Sequence, residues 1–142
     1  MAKTGNDLKK FMTAIDDMVA AFQDVGIPYH FTAGTALGAI RNGGPISHDD
    51  DIDFAVFKKD VTPELEDKLK SSIRKHNFLK KIKSLGNPDE GYELAAYHKN
   101  GIRVDIFFVY EAEYKGKHVM FMSSYYGKCD DCLLYTSDAA DE

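Results

Sequence analysis

The sequence predicts an α+β fold of α/β-like character, a mixed β-sheet flanked by helices. Three observations carry that expectation. One long segment near the start repeats apolar residues at helical spacing, and a Thr-Pro pair opens a second helical segment. Several short apolar runs, two of them flanking Asn100-Gly101, read as strands. At 142 residues the chain is long enough to bury one core.

The elements follow in order. Asn6 to Gln23 is the clearest helix, with Leu8, Phe11, Met12, Ile15, Met18, Val19 and Phe22 forming one apolar stripe. Gly26 and Pro28 end it. Tyr29 to Thr32 reads as a short strand that Gly34-Thr35 breaks. Ala36 to Arg41 follows as a short helical segment, and Asn42-Gly43-Gly44-Pro45 is a turn. Ile52 to Phe57 is an apolar strand introduced by three consecutive aspartates. Thr62 caps a second helix that has Pro63 at its first position and runs to about His76. Phe78 to Ser84 alternates as a half-buried strand. Tyr92 to His98 and Ile102 to Tyr110 form a hairpin, and Tyr114 to Met122 forms a second that turns at Lys115-Gly116.

Residues 1–128 are thus expected to form a single domain, and residues 129–142 stand apart as a disordered or non-native tail. Leu133 to Glu142 has no apolar periodicity and is similar to translated adaptor sequence, which would make the chain a truncated fragment. A native disordered tail is the alternative. Cys129 and Cys132 lack a second Cys/His pair and read as two incidental thiols rather than half a zinc site.

Composition narrows the function classes. The net charge of −5 and pI near 5.5 speak against a grip on nucleic acid. Lys68, Lys70, Arg74, Lys75, Lys80, Lys81 and Lys83 read as the wet side of a helix and of the strand after it. No apolar run is long enough for a membrane span, and MAKTGNDLKK does not resemble a secretory signal. The expected location is cytoplasmic, with peripheral membrane association left open.

The chemistry centres on Asp49-Asp50-Asp51-Ile52-Asp53-Phe54. Alternation along a strand puts Asp51 and Asp53 on one face, roughly 6–7 Å apart at their α-carbons. Ile52, Phe54 and Val56 would anchor the other face in the core. Two such carboxylates call for a positive charge between them, and Mg²⁺ (or Mn²⁺) takes oxygen ligands of this kind. Asp49 is a further candidate ligand if the strand starts early. Asp105, inside the apolar run Arg103 to Val109, supplies a third acid that needs a metal or a cation. Arg103, two residues back, offers a plain ion pair instead. Gly34 and Thr35 sit at a strand-to-helix turn whose amides can receive a phosphate, with Arg41 in reach of the same anion. A connecting turn and a surface arginine are the simpler readings of those residues.

Gly-Thr-Ala-Leu-Gly-Ala-Ile-Arg-Asn-Gly-Gly from Gly34, followed by Asp-Asp-Asp-Ile-Asp-Phe, resembles the signature of the LicD/fukutin family of the nucleotidyltransferase-fold superfamily. The resemblance spans roughly Phe31 to Tyr110. It implies a nucleotidyltransferase fold and a metal-dependent transfer of a phosphorylated alcohol from a CDP-activated small-molecule donor to a hydroxyl of a glycan or lipid-linked sugar. Bacterial members act as phosphocholine transferases on cell-surface polymers such as lipopolysaccharide or teichoic acid, and animal relatives use CDP-ribitol. By resemblance, Asp51, Asp53 and Asp105 are the catalytic, metal-holding acids, while Gly34, Thr35 and Arg41 hold the donor. Where many relatives carry Pro-Trp, this chain has Ser47-His48, and His48 is either a phosphate contact or an exposed loop histidine. Two other readings stay open: a small nucleotidyltransferase acting on a protein or small molecule, and a truncated, non-catalytic nucleotide-binding relative.

Overall fold

The computed structural model of the chain describes residues 5–31, 51–87, 91–122 and 133–136. The expected turn at Gly34-Thr35, the helical segment 36–41 and the cysteine pair lie outside the described residues.

Helix α1 (Gly5–Val25) buries Phe11, Ala14, Ile15, Met18, Ala21 and Phe22 along one side. Leu8 and Met12, expected in that stripe, lie at its flank and stay 43% and 38% exposed. Ala14 and Ala21, on the other flank, are fully buried instead. The helix ends where Gly26 adopts a left-handed φ of +78°. The amides of Gly26 and Ile27 then both donate to the Phe22 carbonyl, at 2.9 and 3.1 Å. Buried Ile27 completes this glycine-terminated cap.

Strand β1 (His30–Phe31) pairs antiparallel with β2 (Asp51–Phe57). After a single 3-10 turn (Lys58–Asp60), helix α2 (Pro63–Lys75) starts as expected. The Thr62 hydroxyl accepts a hydrogen bond from the Leu65 amide at 3.2 Å.

Phe78 to Ser84 does not form the expected strand. Phe78 makes one bridge to His98, the Leu79 amide bonds the Tyr97 carbonyl at 2.8 Å, and the ladder then lapses. Asn77, with a φ of +69°, turns the chain sharply after α2. The Arg74 side chain captures the Lys80 carbonyl at 2.9 Å, an acceptor that a ladder would otherwise use. Strand β3 begins only at Lys83 and runs to Asn87.

The remaining strands are β4 (Gly91–Tyr97), β5 (Arg103–Tyr114), β6 (Lys117–Met122) and β7 (Leu133–Thr136). Their order is β1-β2-β5-β4-β3, and β6 pairs with the distal part of β5 and with β7. Only β2 and β5 run parallel among the described pairs, so the sheet is mixed and the fold is α+β. Strand β7 falls within the 129–142 stretch set apart on sequence. The first hairpin uses a three-residue loop in which Gly101 is left-handed, and the Asn100 side chain accepts from the Ile102 amide at 3.0 Å. The second turns on Lys115 and Gly116, both at positive φ, as a two-residue turn of the hand that suits twisted strands requires. Among the described residues, no helix is long and apolar enough to cross a membrane.

One face of the sheet meets both helices. Ile52, Phe54 and Val56 of β2, Val104, Ile106 and Phe108 of β5, and Leu94 and Ala96 of β4 are fully buried in one cluster with α1 and α2. The Phe54 ring lies 5.0–5.8 Å from the rings of Phe22, Tyr29 and Phe31. Polar ties fasten the helices: the Ser72 hydroxyl donates to the Ala21 carbonyl at 3.0 Å. His98 Nε2 meets Asp17 Oδ2 at 2.6 Å, while its Nδ1 accepts from the Asn100 amide at 3.1 Å. That acceptance assigns the proton to Nε2, which donates to Asp17.

Phe54→Ala is expected to lower unfolding stability by about 3–5 kcal/mol, the cost of an emptied aromatic site. Urea denaturation of the two proteins measures it.

Candidate active site

Opposed residues of a parallel ladder share a face. The register pairs Asp51 with Arg103, Asp53 with Asp105 and Ala55 with Phe107. The alternate residues of both strands are those sunk in the helix-covered core. Asp53 and Asp105, 52 positions apart in sequence, are therefore neighbours on the opposite face, on strands about 4.8 Å apart. Asp51 occupies the next position on that side of β2, beside Arg103.

Strand β4 completes the arrangement on the other side of β5. Ala95 stands beside Asp105, Tyr97 beside Arg103 and Glu93 beside Phe107. Glu93 thus shares the acidic face, one diagonal step from Asp105, roughly 7–8 Å between α-carbons. Ala95, on the same face between Glu93 and Tyr97, contributes only a methyl group.

Burial makes these charges consequential. Asp105 is 5% exposed and Glu93 2%. Arg103 Nε donates to Asp105 Oδ1 at 2.8 Å, realising the ion pair that their spacing on β5 allows. Among the described residues, no hydrogen bond reaches the Glu93 carboxyl. Burial pushes that carboxyl above the ordinary carboxylate range, the charge of Asp105 adds to the rise, and Arg103 partly offsets it.

An all-carboxylate donor set suits a hard divalent cation such as Mg²⁺ or Mn²⁺. The register makes Asp53 and Asp105 ladder partners, two acids that could contribute to such a set. Among the described side chains, which do not include that of Asp51, no group of three His, Cys, Asp or Glu converges closely enough to hold an ion. Gly34, Thr35, Arg41, His48 and Asp49 lie outside the described residues.

Glu93 was missed on sequence, although a signal exists. It is the single charged residue in Tyr92-Glu93-Leu94-Ala95-Ala96-Tyr97, a run otherwise suited to full burial. Lys68, Arg74 and Lys75 face solvent, and Lys70 pairs with Glu66 at 3.4 Å.

The raised Glu93 carboxyl has a pH signature. The native state holds this proton where the unfolded chain has released it, so Glu93 costs stability as pH rises from its unfolded value, about 4.3, through the higher folded one. Glu93→Gln removes that cost. In metal-free buffer the variant is expected to gain stability on the wild type as pH rises through this window and to lose the advantage below it. Denaturation midpoints taken from pH 4 to 8 check the sign.

The family described as LicD/FKTN/FKRP, nucleotidyltransferase domain, matches residues 26–132, well over half of the chain and spanning β1 to β6. Ribitol-5-phosphate transferase FKTN from Mus musculus is 32% identical over 91 residues, which make up 63% of this chain and 18% of that protein. An uncharacterized protein from Caenorhabditis elegans is 34% identical over 110 residues, 73% of this chain and 28% of its own length. The human ribitol-5-phosphate transferase FKTN is 27% identical over 89 residues, 61% of this chain and 18% of that protein. The chain therefore spans less than a third of the length of these relatives. With its β2 and β5 acids inside the matched region, the chain belongs to the LicD/FKTN/FKRP family.

Proposed function

We propose that the chain carries the metal-holding part of a phosphotransferase site. The site moves a phosphorylated alcohol, ribitol phosphate- or phosphocholine-like, from a CDP-activated donor to a hydroxyl of a glycan or lipid-linked sugar. The observation that supports this reading best is the pairing of Asp53 with buried Asp105 on one face of the sheet. The printed activity of the mammalian relatives, ribitol-5-phosphate transfer, favours ribitol phosphate as the transferred group.

In the proposed reaction the acceptor oxygen attacks the phosphorus that bears the alcohol. The bond from that phosphorus to the bridging oxygen breaks, and cytidine monophosphate leaves with the electron pair. Asp51, Asp53 and Asp105 hold the cation, with Asp49 as a further ligand. The cation supplies charge neutralisation for the donor phosphates and orientation for in-line displacement. Asp105 has a second proposed role, accepting the hydroxyl proton as its oxygen attacks. The Gly34-Thr35 turn, supported by Arg41 and His48, receives the donor phosphates through backbone amides and a guanidinium. Arg103 keeps Asp105 in place, since its Nε donates to one carboxylate oxygen.

Calorimetric titration with CDP-ribitol and CDP-choline, with and without Mg²⁺, tests the reading. Binding is expected to require Mg²⁺. Asp53→Asn should weaken it by roughly 100-fold, the upper end of what even outer partners of a metal cost. Circular dichroism of the variant should be unchanged, because Asp53 faces away from the helix-covered core. Mg²⁺-independent binding, equal in wild type and variant, would contradict the assignment.

A further inference from the structure

Charge is unevenly spread along this chain. The twenty residues from Lys68 to Asn87 hold seven of its 18 lysines and arginines and none of its 23 acids. Eleven cations stand against all 23 acids in the rest of the sequence. A protein of net charge −5 thus keeps one strongly basic segment.

Folding gathers that segment at one edge of the molecule. It comprises the second half of α2, the irregular stretch 78–82 and β3, the last strand of the β1-β2-β5-β4-β3 order. Arg74 Nε donates to the Lys80 carbonyl at 2.9 Å, and Lys70 Nζ donates to the Ser84 hydroxyl at 3.3 Å, so helix and following segment are tied together. Glu66 neutralises Lys70, and Asp24 meets His76 on the α1 side. Among the described residues no carboxylate pairs with Arg74, Lys80 or Lys81, all three of them exposed.

Leu79 stands among these cations. Phe78 before it is buried in the core, and the Leu79 amide is fixed to the Tyr97 carbonyl at 2.8 Å. Its side chain nevertheless stays 51% exposed, more than Leu8, Met12 or Phe31. Exposed cations alone suit any polyanion. An exposed leucine between them gains nothing from a soluble polyanion, whereas an anionic bilayer offers phosphates to the lysines and an apolar layer to the leucine. The long lysine stems let the charged heads stay at the phosphates while the leucine goes deeper.

We propose that Arg74, Leu79, Lys80 and Lys81 form a docking surface for an anionic lipid bilayer. The contact is peripheral and reversible, held by charge and one shallow apolar insertion, and it weakens as salt rises. None of these residues belongs to the cation or donor sites of the phosphotransferase reading, so the two inferences stand or fall separately.

Co-sedimentation of the full chain with vesicles tests the surface, using phosphatidylcholine alone and phosphatidylcholine mixed with phosphatidylserine. Binding is expected only with the phosphatidylserine vesicles, and it should fall as salt is added. The double variant Lys80→Gln, Lys81→Gln should bind them roughly 10- to 30-fold more weakly, each cation at an anionic surface being worth about five-fold. Leu79→Ser should also weaken vesicle binding, while leaving binding to soluble polyphosphate unchanged. The same double neutralisation at Lys115 and Lys117, beside the β5–β6 turn, should leave vesicle binding at the wild-type level. Circular dichroism of the Leu79, Lys80 and Lys81 variants should match the wild type, because the changed side chains are exposed. A wild type that ignores phosphatidylserine vesicles would overturn the proposal, as would equal weakening by the Lys115 and Lys117 pair. Wild-type vesicle binding by Leu79→Ser would overturn the bilayer as partner and make the surface a site for soluble polyanions.

Discussion

A parallel ladder cannot slip by one residue without turning every side chain of one strand to the other face. The pairing of Asp51–Phe57 with Arg103–Val109 is such a ladder, and core and candidate site both depend on it. Its even positions put Ile52, Phe54 and Val56 beside Val104, Ile106 and Phe108, all fully buried under the two helices. Each of these side chains contributes about 1.5–3 kcal/mol by leaving water, so together they outweigh any gain from another register. The odd positions are carried along, and Asp53 and Asp105 become ladder partners because their apolar neighbours do. Hydrophobic burial on one face thereby drives the assembly of a charged cluster on the other.

That cluster opposes folding. Asp105 and Glu93 are nearly as inaccessible as the aliphatic core, and Arg103 pairs with Asp105. Stability of this sort is commonly given up at functional sites, and the helix-side core compensates. The ties of α1 to the rest of the molecule, through His98 and Asp17 and through Ser72 and Ala21, lie on the other side of the sheet and are separate from the acids. Changes at the acidic face are therefore expected to alter charge balance and pH response more than fold.

Much of this was legible in sequence because it is local. The apolar stripe of α1, the Thr62 cap with Pro63, the Lys115-Gly116 turn and the alternation around Asp51 and Asp53 all rest on residues close in the chain. The Arg103–Asp105 pair was legible for the same reason, being two residues apart on one strand. What escaped depends on distant partners. Phe78 to Ser84 has the right alternation, but Arg74 and the left-handed Asn77 divert it, and neither effect appears in a two-residue period. Asp51, Asp53 and Asp105 were selected as acids wanting a neighbour, yet only the parallel register makes Asp53 and Asp105 adjacent. Glu93 reads as an ordinary strand residue until β4 is placed beside β5.

The proposed site requires a cation held between β2 and β5. The most direct measurement is a crystal structure of the chain grown with Mn²⁺ and cytidine diphosphate, with the metal located by its anomalous scattering. The account predicts a peak bonded to oxygens of Asp53 and Asp105, at distances near the roughly 2.1 Å typical of small hard cations, with Arg103 still holding the remaining Asp105 oxygen. An Arg103 guanidinium filling the space between the two aspartates, with no metal there, would contradict it.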